Sequence, residues 1–400
     1  MKFGKMTLTA AIALTAVMAA SQAMADDVII GDIDDLSGPY ADVIGKGGIE
    51  AINMAIADFG GSVLGKKISV MTTDHQNKPD IGASKFAEWA DQNHVNMILG
   101  GSNTGVSIAM SKKALEKKVP FIAIGAAGAS LTNQDCNAYT IHYAYDTTSL
   151  ANGTATAMVK GGAKTWFYLT ADYAFGTQLQ EAASKVVEAN GGKNVGSVRA
   201  PLGTSDFSSF LVQAQGSGAQ VLGLANAGAD TQNSIKAANE FGIGKTMKVV
   251  ALLGFISDVN ALGLKTAQGL TLTTSWYWDA NDETRKFSKR FADKVGHPPG
   301  ENQTAYYSAT LAYLNAVKAA GTTDSDKVMA ELHKEKINDV YAKGGYIRAD
   351  GVMIHDMYVV QVKTPAESKA PWDYYKVIST MKGEEAFGPV TGLCKLAPKS

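Results

Sequence analysis

Residues 28–61 read VIIGDIDDLSGPYADVIGKGGIEAINMAIADFGG, and this stretch decides the fold. Residues 28–33 are a short apolar run, closed by Asp34-Asp35 and the turn formers Ser37-Gly38-Pro39. That is the pattern of a strand buried on both faces. Ile49, Ile52, Ile56 and Phe59 then recur at helical spacing, and Gly60-Gly61 ends the helix. A buried strand followed at once by an amphipathic helix is the unit of a parallel α/β sheet.

The unit repeats along the chain. Strands are expected at 68–72, 96–99 and 121–124, with helices over 81–89 and 106–118. A second series opens near Asp146, with helices at 148–160, 176–189, 207–215 and 231–241 between strands at 165–170, 195–199, 220–224 and 249–252. The remainder is less regular, with strands at 270–274, 346–348 and 357–362 and helices at 283–295 and 304–320. Two similar α/β lobes follow from this rhythm. No low-complexity linker separates them, so the chain is expected to cross between them more than once, as in a hinged clamp.

Composition agrees with a folded chain. Its 400 residues, 46% hydrophobic and 19% charged, suit two or three domains at ~150 residues each. Glycine, at 41, exceeds the usual ~7% while proline stands at 10, which favours tight turns over extended linkers. Lys+Arg 37 against Asp+Glu 38 leaves a net charge of −1 with no long run of either sign, which argues against a nucleic-acid or membrane-surface partner.

The N-terminus reads as an export signal, 1–25. Lys2 and Lys5 precede an apolar stretch over 8–20, and Ala23-Met24-Ala25 supplies small residues for cleavage before Asp26. The apolar stretch is shorter than the ~20 residues of a membrane span. The first cysteine is Cys136, so none stands at the cleavage site to carry a lipid. A free protein in an oxidising space is expected, most simply a bacterial periplasm. Cys136 and Cys394 are then either two inert thiols or a disulfide holding the C-terminal tail, and the compartment favours the disulfide.

Ligands of open parallel sheets bind at the carboxyl ends of the strands. Four loops there stand out: 37–40 with Tyr40, 100–105 with Ser102, Asn103 and Thr104, 125–130 with Ala126, Ala127, Gly128 and Ser130, and 172–176 with Tyr173 and Phe175. Small residues admit a ligand to the backbone N–H groups, and helix N-termini favour an anion, so the Gly100 and Gly125 loops suit a carboxylate. Those glycines equally serve tight strand-to-helix turns. Enzyme signatures are poor. His75, His94, His142, His297, His333 and His355 show no metal-binding spacing, and no GxSxG elbow, phosphate loop or GxGxxG is present. No cofactor, metal or catalytic residue is expected.

The segments VIIGDIDDLSGPYAD, GGIEAINMAIADFGG, LGKKISVMTTDHQNKPD, FIAIGAAGASLT and TADYAFG, with the later YWDANDETRKFSKRF and AYYSATLAYLNAV, give the chain its family resemblance. In order and spacing it resembles a type I periplasmic solute-binding protein of the leucine/isoleucine/valine-binding family. The resemblance covers essentially the whole mature chain. It implies two Rossmann-like lobes, crossings near 143–146, 273–275 and 348–355, and a ligand in the cleft. The lobes would comprise 26–144 with 275–347 and 145–274 with 348–380, followed by a tail over 381–400. The Gly100 and Gly125 loops would hold the carboxylate while Tyr173, Phe175 and Asn226 close from the other lobe. The partners implied are a membrane permease and a cytoplasmic ATPase of an ABC importer, served by a monomer. A periplasmic sensor module and a secreted α/β hydrolase are the rival readings. Cytosolic repressors of related fold are excluded by a signal peptide where they need a DNA-binding helix pair.

Amino-acid binders of that family hold the ligand ammonium with a carboxylate after the last strand of the second lobe. In this chain that loop falls on Leu252-Leu253-Gly254-Phe255, which contains no acid, although Asp230 and Asp258 lie nearby. Tyr40, Tyr173 and Phe175 would enclose an apolar body. The expectation is therefore a carboxylate without an amine, of the benzoate or hydroxybenzoate kind, with branched-chain amino acids as the alternative.

Overall fold

The computed structural model describes residues 27–396. The expected export signal and its cleavage point lie outside the described residues. Strand β1 (Val28–Asp34) buries Val28, Ile30 and Ile33 completely, as a strand covered on both faces must. It is followed by α1 (Gly45–Phe59), the hairpin of β2 (Ser62–Val63) and β3 (Lys66–Asp74), α2 (Pro79–Gln92), β4 (Met97–Gly100), α3 (Thr104–Lys117), β5 (Phe121–Ala123) and β6 (Thr140–His142). The sheet order is β2-β3-β1-β4-β5-β6, parallel throughout except for β2 against β3. Asp34 pairs with Asp74 and Ile33 with Gly100, so three strands end level and present their loops along one edge.

The chain enters the second lobe through residues 143–146. Asp146 caps α4 (Thr147–Lys160): the Ser149 N–H donates to its Oδ1 at 2.7 Å, and its own N–H donates to Ser149 Oγ at 3.0 Å. Next come β7 (Thr165–Ala171), α5 (Ala174–Ala189), β8 (Lys193–Ala200), α6 (Ser208–Gly216), β9 (Val221–Ala225), α7 (Ala229–Glu240) and β10 (Lys248–Ala251). They build a parallel sheet in the order β10-β9-β7-β8. Helices α8 (Ile256–Leu262) and α9 (Leu264–Ala267) lead to β11 (Thr271–Thr274).

The chain then returns to the first lobe as α10 (Asp282–Val295) and α11 (Glu301–Ala320). Arg290 and Tyr307 both reach Asp58 on α1, at 2.6 and 2.7 Å, and the Tyr306 hydroxyl donates to Asp34 at the end of β1. After α12 (Ser325–Leu332), the antiparallel strands β12 (Lys336–Asn338), β13 (Lys343–Ile347) and β14 (Met353–Ile354) lie beside β6, where Val352 bridges to His142. Finally β15 (Met357–Val362) and β16 (Tyr375–Met381) join β11 in an antiparallel sheet, and α13 (Gly383–Phe387) follows.

Three differences from the sequence reading have local causes. Residues 348–354 stay with the first lobe, because Arg348 grips Asp350 at 2.8 Å and closes the turn that returns β14 onto β13; the third crossing falls at 355–356. The second crossing extends past Ser275, since the next helix starts only at Asp282. The segment from 381, expected as a tail, contains α13, whose Ala386 carbonyl accepts from Asn152 of α4 at 2.9 Å.

The crossings are tied to one another. Ala144, in the first, has a left-handed φ of +69°, which costs a non-glycine residue free energy and persists only where its surroundings hold it. Its carbonyl accepts from His355 Nε2 of the third crossing at 2.8 Å. The Tyr341 hydroxyl lies 2.8 Å from Ser275 Oγ of the second crossing and 3.4 Å from the same Ala144 carbonyl.

Cys136 and Cys394 form a disulfide across 258 residues of sequence, with Cα atoms 5.6 Å apart. In the chain-entropy picture a loop of that length stabilises by at most ~5 kcal/mol. The residues after α13 bury Cys394 but expose Leu393 and Leu396, and besides the disulfide they are held by Arg348 on the Gly388 carbonyl at 2.7 Å and by the Thr391–Asn133 bond. Reduction is therefore expected to release this tail to limited proteolysis while the lobes stay folded, with a loss well below that ceiling. A global unfolding transition on reduction would show that the bridge supports the lobes themselves.

Candidate functional site: a cavity between the lobes

The loops that end β1, β4 and β5 face those that end β7, β9 and β10 across a cavity of about 280 Å³. The first lobe contributes Tyr40, Val43, Ile44, Ser102, Thr104, Gly125 and Ala127, with Asn302 from the start of α11. The second contributes Tyr173, Phe175, Ala227, Leu253 and Phe255, and Tyr145 stands at the first crossing. With the lobes in contact, the enclosed space is small.

Donors gather at one end. Thr104 Oγ1 accepts from the Gly128 N–H at 3.1 Å, which leaves its own hydroxyl hydrogen to point elsewhere. Among the described residues, the backbone N–H groups of Thr104, Ala126 and Ala127 find no acceptor. Gly125 keeps this corner open: its φ is +87°, and a Cβ there would meet Ile44 Cδ1 at 2.5 Å. Unused donors at a helix N-terminus beside a glycine turn form a seat for an anion.

Of the residues singled out from sequence, Tyr40, Ser102, Thr104, Ala127, Tyr173, Phe175 and Leu253 lie on the cavity wall. The others are placed differently. Asn103 caps α3, its Oδ1 accepting from Gly105 N at 2.9 Å and Val106 N at 3.3 Å. Asn226 accepts from the Thr231 hydroxyl and donates to Ser234 Oγ, both at 2.8 Å, and so stiffens the start of α7. The Ala126 carbonyl faces His142 Nε2 at 2.7 Å, Gly128 packs against Thr104, and Gly254 lies against Ala251 and Leu272. Sequence reading missed Val43, Ile44, Tyr145, Ala227, Phe255 and Asn302. Only Phe255, inside the loop already chosen, carried a local signal.

Neither acid considered as an ammonium partner lines the cavity. Asp230 takes the Gly203 N–H on both oxygens at 3.2 and 3.1 Å. Asp258 takes Gln232 Nε2 at 2.8 Å and the Phe255 N–H at 2.9 Å, capping α8. Among the described residues, the cavity wall carries no carboxylate.

Beneath the donor end, Ser102, His75 and Asp34 meet, the residue types of a hydrolytic triad. Their geometry runs the wrong way. His75 Nδ1 accepts the Asn77 N–H at 3.0 Å, so the ring proton sits on Nε2, which faces Ser102 Oγ at 3.4 Å and Asp34 at 3.7 Å. A general base needs a bare nitrogen toward the serine. Burial pushes this imidazole down to about 4 and keeps it neutral. His75 thus donates to Ser102, and neither group is set up for nucleophilic attack.

The lobes touch. Tyr40 and Tyr173 hydroxyls meet at 2.5 Å, the Ala229 N–H donates to the Pro39 carbonyl at 3.2 Å, and Gln178 exchanges bonds with Ser130 N and Oγ at 3.0 and 3.2 Å. Gly228 has φ +58°, and a Cβ on it would lie 2.4 Å from the Pro39 carbonyl oxygen.

A family model described as periplasmic binding protein matches residues 27–369. The chain is 59% identical to a periplasmic binding protein of Burkholderia mallei, whose crystal structure superposes with a TM-score of 0.91 over 93% of this chain and 99% of that one. A branched-chain amino acid ABC transporter periplasmic ligand-binding protein of Burkholderia xenovorans is 39% identical, with a TM-score of 0.83 over 92% and 100%. A Leu/Ile/Val-binding protein homolog of Brucella melitensis is 29% identical over 72% of this chain and 75% of its own.

Two outcomes follow. Gly228→Ala should wedge the lobes apart: the radius of gyration of the liganded protein by solution scattering should stay at the ligand-free value, and affinity should fall at least tenfold. An unchanged compaction would place the closing contact elsewhere. The second concerns pH. Burial pushes Asp32, Asp258 and Glu301 up to about 7, and His75 and His142 down to about 4. The histidines favour folding above their unfolded value of ~6.5 and lose that contribution as pH falls below it. The acids favour folding below their unfolded value of ~4 and lose that contribution as pH rises through 7. From pH 7 to 8 the unfolded histidines are already mostly neutral, while these acids, joined by Asp34 whose titration burial pushes higher still, go on ionising, so the thermal midpoint should fall over that interval; a rising midpoint would contradict their burial as neutral groups.

Proposed function

The chain belongs to the periplasmic binding protein family, and from that premise we propose that it captures a small carboxylate for an ABC importer of the branched-chain amino acid type. We further propose that the carboxylate carries an aromatic body and no α-amine. The observation that supports this is the cavity wall: donors at one end, five aromatic rings (Tyr40, Tyr145, Tyr173, Phe175 and Phe255), and no acid. An α-ammonium buried there without an anionic partner would cost several kcal/mol, a loss of about a thousandfold at ~1.4 kcal/mol per decade. A benzoate-like acid avoids that cost. A protein of the same fold from R. palustris is in complex with 4-hydroxybenzoate; at 23% identity and a TM-score of 0.81 over 92% of this chain, it shows the fold alone.

The mechanism is binding coupled to closure. A ligand that touches both lobes favours the form in which Tyr40 meets Tyr173, and a ligand held by one lobe would shift nothing. The acid end sits on Ser102, Thr104 and the Ala127 N–H, and the rings of the second lobe close on the body. The closed form is what a membrane permease would recognise, with a separate cytoplasmic ATPase supplying the energy. The same reading has the mature protein begin at Asp26, act as a monomer in the periplasm, and divide into lobes at the three crossings.

Calorimetry with the mature protein tests the ligand class. Benzoates or arylalkanoates should bind at a stoichiometry near one and be returned unchanged, and leucine, isoleucine and valine should bind at least a hundredfold more weakly. Tight leucine binding with no response to any aromatic acid would overturn the aromatic assignment and leave branched-chain amino acids as the cargo.

A further inference from the structure

A second cavity, of about 440 Å³, adjoins the first and shares Val43, Phe255 and Asn302 with it. None of these shared residues is one of the donors at Thr104 and Ala127, so a ligand seated by its acid on those donors can extend past Val43, Phe255 and Asn302 into the second chamber. Six buried side-chain polar atoms lack a partner among the described residues. Three of them, Glu301 Oε1, Asn302 Oδ1 and Tyr375 OH, belong to residues that line this one chamber. Leaving a buried polar atom unpaired is costly, and native structures leave few so. Their concentration marks a place where something else supplies the hydrogen bonds.

The chemistry of the missing group can be read from its neighbours. Glu301 Oε2 already accepts from Thr274 Oγ1 at 2.7 Å and from Ser275 N and Oγ at 2.5 and 3.0 Å, while Oε1 accepts from nothing. Asn302 Nδ2 donates to the Tyr145 hydroxyl at 3.1 Å, and that hydroxyl passes its hydrogen to the Gly125 carbonyl at 3.3 Å. The chain of donors fixes the amide orientation, so the free atom is the acceptor Oδ1. Above about pH 7, where Glu301 is ionised, its Oε1 and Asn302 Oδ1 are two acceptors on residues that line one chamber, and they need a donor. No Lys or Arg lines the chamber, and among the described residues no group donates to either atom.

Building on the carboxylate reading above, we propose that Glu301 and Asn302 form a second recognition site, which reads an O–H or N–H group at the end of the ligand remote from its acid. The ligand class narrows to carboxylates bearing a distal hydroxyl or amino group. An ether or a bare ring at that end leaves both acceptors unpaired, and the site discriminates against it.

The test is calorimetry on the mature protein with benzoate and 3-phenylpropanoate, each beside its para-hydroxy, para-amino and para-methoxy derivatives. In at least one series the hydroxy or amino member should bind about tenfold or more tightly than the parent and the methoxy member, and the two donor arms tell a hydroxyl ligand from an amine. In Glu301→Gln the three donors around Oε2 hold the amide oxygen, so an NH₂ replaces the free acceptor. That variant should lose the preference for donors and gain relative affinity for the methoxy member. Equal binding of parent, methoxy and donor-bearing members by the unmodified protein would overturn the proposal while leaving the carboxylate reading intact, and would mean that water alone fills the chamber. Failure of every carboxylate to bind would sink the carboxylate reading and this inference with it.

Discussion

The Asp34 carboxylate is the constraint from which the site is built. It is wholly buried at the end of β1, where burial and the neighbouring Asp32 push its titration well above the usual carboxylate range. Its Oδ1 accepts from Asp35 N at 2.9 Å and Ser102 N at 3.1 Å, and its Oδ2 accepts from the Tyr306 hydroxyl. One side chain therefore joins the first strand, the loop that starts α3, and α11. Removing a partner from such a group costs far more than a surface hydrogen bond, because the rest stays buried and unpaired. Asp34 fixes where Ser102 stands. Through Tyr306 it also holds α11, at whose start Glu301 and Asn302 reach the cavities.

With one lobe set in this way, closure is left to a handful of contacts. The Tyr40–Tyr173 pair, the Ala229–Pro39 bond and the Gln178–Ser130 bonds each contribute ~0.5–1.5 kcal/mol net. Their sum is a few kcal/mol, set against the cost of ordering the side chains that make them. That balance is what a capture device needs. Contacts much stronger would hold the clamp shut without cargo, and contacts much weaker would leave the ligand to supply all of the closing free energy. The crossings confine the motion, since the Ala144 carbonyl is bound by His355 of the third crossing and lies near Tyr341, which also reaches Ser275 of the second.

The α/β alternation was legible because buried parallel strands and amphipathic helices leave periodic signatures over ten or more residues. Strands of two or three residues, such as β2, β6 and β14, leave none, and α13 is a single turn and a half. The same asymmetry governs the site. Tyr40, Ser102 and Thr104 follow strands directly, so the rule that ligands gather at strand ends finds them. Asn302 and Tyr145 come from a helix start and a crossing. What brings them to the cavity is the return of the chain after the second lobe, which pairs residues about 157 positions apart in the Asn302–Tyr145 bond. No local pattern records such a meeting.

Asn103 and Asn226 teach the complementary lesson. Each has the right residue type in the right loop, and each spends its side chain on the backbone or on a neighbouring helix turn. Asparagine, serine and aspartate at strand-to-helix junctions are favoured there because they satisfy helix N–H groups, whatever the loop does besides. A polar residue in a site loop is thus weak support for ligand contact until its hydrogen bonds have been accounted for. Asn302 passes where Asn103 fails: one end of its amide is committed to Tyr145, and the other has nothing. Glu301 passes by the same accounting, with three bonds on one oxygen and none on its twin. Unspent hydrogen-bonding capacity, buried and on residues that line a cavity, is the criterion by which the proposed ligand contacts are separated from residues that only shape the loop.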